Sequence, residues 1–300
     1  MTAIAHAFRP LHIVPIRLAY TAPTRSDACM MLWQVLSSTC ARVSSAAKAC
    51  DASELSAEQR ATITKEWTSN GLAEHASVAS FSRFSLQLMA IAAPSQLLME
   101  AHKAAIDEVN HAKLAFRLAG TFGGKPVGPG PFPVKTIEID ANKANVLSSV
   151  ISEGCVAETL SAIRAAQQLD LVTHEQVKSA IATISDDESR HAALAWKTAR
   201  WLISSGDESI RETASAAFES SLAHNFDAEA GEIDDEDKTL NEFGVLDPVT
   251  KYRWDGENKR DILTLFSNSL LYGQAVDIDL ESFPPAVASV ISKVVTAARL

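Results

Sequence analysis

The stretch Ile106-Asp-Glu-Val-Asn-His-Ala-Lys-Leu-Ala-Phe-Arg117 returns eighty residues later as Asp186-Asp-Glu-Ser-Arg-His-Ala-Ala-Leu-Ala-Trp-Lys197. Glu108 aligns with Glu188, His111 with His191, Leu114 with Leu194, and Phe116 with Trp196. A repeat constrains the architecture before any local reading, because both copies must occupy equivalent places in one fold. Within each copy Glu and His stand three apart. On an α-helix that is about 60° around the axis and one turn along, so the two side chains face the same way. Carboxylate and neutral imidazole together suit iron, manganese or zinc. One Glu-x-x-His match is weak, since the spacing arises often on charged helix surfaces. Two matches that share the flanking alanine, leucine and aromatic positions are strong, and two such pairs on two helices supply half of a dinuclear metal site.

Outward from the repeat, the composition is that of an all-α protein. The apolar share of 47% and the charged share of 21% fit a globular chain with ample core, and glycine and proline are sparse. A net charge of −10 gives no general affinity for phosphate backbones, so bulk nucleic-acid binding is not expected. Cysteines at 29, 40, 50 and 155 form no Cys-x-x-Cys pair, which argues against a zinc ribbon or a rubredoxin-type centre. At this size a disulfide framework is not expected either, and a reducing, cytoplasmic location is the default. The alternative is an export or lipoprotein signal, from the apolar run Ala28–Leu36 ahead of Ser-Ser-Thr-Cys40. No membrane span is expected.

Three regions are expected: an arm over 1–55, a helical bundle over 56–206, and a C-terminal helical extension over 207–300 packed on it. The first helix is predicted over 57–92, capped by Ser56 with Gln59, with Asn70-Gly71 as a possible break. Pro94 suits the first position of a second helix that stops at Gly120. Residues 120–133 are rich in glycine and proline and cannot be helix. Extended to residue 140 they could span some 60 Å, where a 25-residue helix needs about 38 Å, so a long crossover between helices two and three is feasible. A four-helix bundle made of two helical hairpins requires such a crossover. The third helix is predicted over 141–170. A fourth starts at Thr173, with Gln176 completing its cap, and ends near Gly206. Further helices are expected over 207–226, 257–272 and 284–299, and Glu229–Asp237 reads as an acidic linker.

A dinuclear carboxylate site also needs a Glu from each of the two remaining helices. Glu74 is the candidate on helix one. It lies on the apolar stripe with Val78, Phe81, Ser85 and Leu88, where an unpaired carboxylate would cost several kcal/mol. Helix three offers Glu153 and Glu158. Counting back from the hairpin turns selects Glu153, because Glu74 precedes Pro94 by 20 residues and Glu153 precedes His174 by 21. Height along the bundle favours Glu158. Five residues apart is about 140° on an α-helix, so only one of them can face the metals. Glu153 is the expected ligand, with Glu158 an alternative ligand or a proton-handling neighbour. Asp107 and Asp187, beside the repeated Glu, are candidates to orient the imidazoles. Phe81, Phe84, Phe116 and Trp196 line a pocket or fill the core.

Through Glu74, Glu108-Val-Asn-His111, Glu153 and Glu188-Ser-Arg-His191, residues 60–204 resemble the ferritin-like di-iron carboxylate proteins. Glu153-Gly-Cys-Val-Ala-Glu158 is locally similar to helix three of the tRNA-modifying di-iron hydroxylases. The run from Glu74 to Trp196, with Gly244-Val-Leu-Asp-Pro248, is similar to ferritin-like domain proteins of bacterial, myxobacterial-type genomes. The resemblance implies a ferritin-like four-helix bundle holding two iron ions, with manganese or zinc as alternatives. By analogy Glu108 and Glu153 bridge the metals, while Glu74, Glu188, His111 and His191 are terminal. Such a centre gives electrons to dioxygen or peroxide. The expected activity is that of an oxidoreductase acting on a small organic substrate, supplied by an external electron donor. The alternative is ferroxidase or peroxide-scavenging activity without an organic substrate. More than 90 residues after helix four argue against a ferritin cage.

Overall fold

The computed structural model describes residues 55–223 and 239–300, and among these every regular element is helical. Helix α1 is Ala57–Ala90, α2 is Ser95–Gly123, α3 is Lys143–Gln168, α4 is Glu175–Ser205 and α5 is Glu208–Leu222. Helix α6 runs over 248–272 and α7 is Pro285–Ala298. The all-α expectation therefore holds. The arm over 1–54, the acidic stretch Glu229–Asp237 and the expected end of α5 at 224–226 lie outside the described residues.

Local chemistry sets the helix ends. Ser56 Oγ accepts from Gln59 N at 3.1 Å while the Gln59 side chain accepts from Ser56 N at 2.9 Å, closing the expected capping box. Asn70-Gly71 does not break α1. A methyl group built on Gly71 would lie 2.9 Å from the Phe116 ring, so this glycine lets α2 approach closely. Pro94 sits one position earlier than expected, as the residue capping α2. Helix α2 also runs past Gly120 and ends at Gly124, whose φ of 68° is the left-handed turn a helix stop requires. Thr173 does not cap α4. Its hydroxyl donates to Glu242 at 2.7 Å, and the His174 ring nitrogen accepts from Val177 N at 3.4 Å instead.

Helix α3 departs from α geometry over Val150–Glu158, which is π-helical, between α-helical turns at Lys143–Ser149 and Thr159–Gln168. A π segment hydrogen-bonds i to i+5, so residues five apart come to the same side. The α-wheel separation assumed for Glu153 and Glu158 does not apply there.

Contact registers give the pairings. Thr64 meets Gly123 and Gly71 meets Phe116, so α1 and α2 are antiparallel. Ser185 donates to Ala162 O at 3.2 Å and Gly154 abuts Ala195, so α3 and α4 are antiparallel. Lys197 reaches Glu100 at 2.9 Å and Asp187 reaches His111 at 2.9 Å, so α2 and α4 are antiparallel too. Trp196 and Phe116 are core: Trp196 stacks on Phe218 at 5.4 Å and meets Phe266 edge-on, and Phe116 packs with Trp67 and Phe122. Helix α7 packs on α4 and on the C-terminal part of α3. One described helix, Lys143–Gln168, is long and apolar enough to cross a membrane, but 61% of its apolar window is buried inside the fold. It reads as a core helix, in keeping with the expectation of no span.

Candidate metal centre

Four helices bring carboxylates and imidazoles to one buried point. Glu74, Glu108, His111 and Glu188 each place a ligand atom so that all four lie within 4.8 Å of one another. Glu108, Glu158, Glu188 and His191 form a second group by the same measure. Glu108 and Glu188 belong to both, so the groups join into one cluster of six side chains. Glu108, Glu188 and His111 have no exposed side-chain surface, and Glu74 is the most open at 15%. This buried cluster could hold metal.

The repeated pair on each helix sets the geometry. His111 Nδ1 lies 3.7 Å from Glu188 and 3.8 Å from both Glu74 and Glu108. His191 Nδ1 lies 3.3 Å from Glu108 and 3.9 Å from Glu158 and Glu188. Neither Nδ1 has a hydrogen-bond partner. The opposite ring nitrogens each meet an aspartate from the other copy of the repeat. His111 Nε2 is 2.9 Å from Asp187, and His191 Nε2 is 3.4 Å from Asp107. A proton on Nε2 directed at the carboxylate leaves the Nδ1 lone pair turned to the cluster. Asp107 and Asp187 thus occupy the orienting positions their adjacency to Glu108 and Glu188 suggested.

Arg190 was not expected. It pairs with Asp186 at 2.6 Å, with Asp187, and with Asp107 at 3.4 Å, so one guanidinium holds both orienting aspartates. The signal was present: Arg190 stands inside the second Glu-x-x-His, three and four residues after two aspartates.

Electrostatics in the metal-free protein follow from this crowding. Burial alone would lower the pKa of His111, but the carboxylates of Asp187, Glu108 and Glu74 hold it well above the ordinary value. Burial opposes the charge on His191 as well, and Asp107, Glu108 and Glu158 push its pKa up to about 9. Without a metal the cluster retains protons to offset its carboxylates.

Glu153 departs from the expectation. Its carboxylate accepts from Arg83 Nη2 at 2.5 Å, and it belongs to neither ligand group. Glu158 stands in the cluster in its place. The turn count misleads because the second hairpin is shorter between equivalent levels. Glu74 and His111 are 37 residues apart, whereas Glu158 and His191 are 33 apart, about one helical turn less. Arg83 also escaped the sequence reading, although it is the single Lys or Arg between Glu74 and Pro94.

Besides a cavity lined by Asp107, Arg190 and Lys197 that touches His191, two cavities reach the cluster from different sides. One is lined by Phe81, Phe84, Val150 and Leu194 and touches Glu158 and His191. The other touches Glu74 and is lined by Glu66, Asn70, Arg164 and Lys251. Phe81 packs edge-on against His191 with ring centres 4.9 Å apart. Cys155 is fully buried, and burial pushes its thiol pKa well up, which suits a packing role. No family model, curated protein or solved structure matches this chain.

Proposed function

We propose that this chain is a non-haem di-iron oxidoreductase built on a ferritin-like four-helix bundle, using dioxygen or peroxide to oxidise a small organic substrate. The observation that carries the reading is the shared membership of Glu108 and Glu188 in two ligand groups, each completed by one further Glu and one His. Charge balance agrees. Four carboxylates, three of them buried, and two neutral imidazoles would be matched by two divalent cations, whereas buried anions without such compensation cost several kcal/mol each. The donor set fits iron(II), with manganese or zinc as alternatives.

The bundle topology is supported by the pairings of α1 with α2, α2 with α4, and α3 with α4, all antiparallel. Together they make α2 and α3 parallel, so the connection over 124–142 must cross from one end of the bundle to the other. In this reading Glu108 and Glu188, which belong to both ligand groups, would serve both metal ions. Glu74 and His111 complete one, and Glu158 and His191 complete the other. Asp187 and Asp107 would fix the imidazole tautomers, and Arg190 pairs with both aspartates. When bound, two iron(II) ions supply one electron each to dioxygen. One oxygen atom would enter the substrate and the second would leave as water, and an external donor would return the two electrons to the irons.

The cavity at Glu158 and His191 favours an organic substrate over ferroxidase activity, since its walls are largely apolar. Anaerobic iron(II) titration followed by oxygen separates the two. Two irons per chain, with oxidation that couples to an added organic compound, are expected. Iron accumulating far beyond two per chain would indicate storage, and no iron binding would refute the reading.

A further inference from the structure

The cavity beside Glu158 and His191 has a lining more specific than a gap between helices. Its walls are Phe81 and Phe84 from α1, Val150 from the π segment, and Leu194 and Ala195 from α4, with Ser80, Gln87 and Ser149 completing it. Its closed part is small, about 60 Å³, and opens to solvent, which limits an occupant to a small molecule. The Glu74 and His111 half of the cluster does not reach it.

Apart from Glu158 and His191, the ionisable groups in the lining are Arg83 and Glu153, and they are bonded to each other. Their side chains are 11% and 22% exposed. Outside the metal cluster the wall thus carries a matched pair of charges and no surplus of either sign. A charged occupant would lose its hydration and find no free counter-charge in that part of the wall. A neutral apolar body suffers no such loss. The guanidinium still has donors in excess: of its five N–H groups, Nη2 serves Glu153, and Nε is buried without an acceptor. An occupant bringing one acceptor oxygen would supply what the wall lacks, through a small adjustment of the Arg83 side chain.

We propose that this cavity binds a small neutral molecule with an apolar body and a single hydrogen-bond-accepting oxygen, a ketone or an alcohol, with the oxygen held at Arg83 and the apolar body against Phe81, Phe84 and Leu194. Its role as substrate site rests on the di-iron reading; its ligand preference does not. The Arg83–Glu153 pair is the specificity element, because it neutralises the wall while leaving donors for the ligand.

Three probes with one ring and different charge test this on the full chain: cyclohexanone, cyclohexanecarboxylate and cyclohexylammonium. Binding is followed by NMR titration of the Leu194 and Val150 methyl groups, for the protein as isolated and after zinc(II) addition, with zinc counted per chain. Cyclohexanone is expected to bind at least tenfold more tightly than either ion. Arg83→Lys keeps the charge opposite Glu153 but removes the planar fork, and should weaken the ketone about fivefold. Ser149→Phe, at a half-buried lining position, should abolish binding by filling the space. Preference for either ion, no ketone binding, or ketone binding unchanged by both variants overturns the proposal. Two zinc ions per chain without ketone binding would reject the cavity assignment alone. Ketone binding in a chain that takes up no zinc would reject the di-iron reading and leave the ligand preference standing.

Discussion

Glu153 and Glu158 stand five residues apart on one helix, and alanine substitutions at the two should do opposite things. Glu158→Ala removes one of the three carboxylates around His191 and leaves Glu74, Glu108, His111 and Glu188 intact. Loss of an outer partner of a metal ligand already costs about 10–100-fold in affinity, so loss of a direct ligand should weaken one of the two positions by at least about 100-fold. Removing one of four crowded carboxylates should leave the metal-free fold no less stable. Glu153→Ala instead strands Arg83, whose side chain is only 11% exposed. Breaking a buried pair costs about 3–5 kcal/mol, and the partial exposure of Glu153 places this one near 3 kcal/mol. At about 2–4 °C per kcal/mol for a large domain, the melting temperature should fall by roughly 6–12 °C. The assay is calorimetric melting of the metal-free variants together with metal counting after anaerobic iron(II) loading. Expected are one tightly held metal in Glu158→Ala at wild-type stability, and two metals in a destabilised Glu153→Ala. The inverse pattern, a metal lost from Glu153→Ala and two retained by Glu158→Ala, would refute the geometry given for this site.

Other outcomes follow from the same structure. Asp187→Asn should lower metal affinity about 10–100-fold by freeing the His111 ring, read by competition with a chelator of known affinity. In the metal-free protein His191 has its pKa raised to about 9, so its stabilising contribution is complete below the unfolded value of about 6.5 and is lost as pH rises through 9. Melting temperature should therefore decline across pH 6.5–9 without metal, and the decline should vanish with metal, which takes up the neutral imidazole. Gly154→Ala should cost about 1–3 kcal/mol in denaturant unfolding, because its methyl group would lie 2.5 Å from Ala195 Cβ.

The parts legible in the sequence are those with a period. Glu108, His111, Glu188 and His191 stood out because the whole segment repeats, and Glu74 because a carboxylate on an apolar stripe demands a partner. Helix number and most boundaries followed from the same patterning and from cap residues such as Ser56. Features set by tertiary contact were not legible. Thr173 gave up its cap to a long-range bond with Glu242, and Gly71 was absorbed into α1 because Phe116 needed the room. The choice between Glu153 and Glu158 turned on a π segment and a shortened hairpin. Local composition announces neither: Val150–Glu158 contains no proline and a single glycine.

The crossed aspartate–histidine pairs tie the two copies of the repeat together. Each imidazole is steered by a carboxylate from the opposite copy, so neither hairpin alone carries a finished half-site. A fragment ending after α2 would possess Glu74, Glu108 and His111 yet lack the anchor for the His111 ring. Ion uptake would therefore double as a reporter of assembly: only a chain whose two hairpins have docked in register presents the complete cluster.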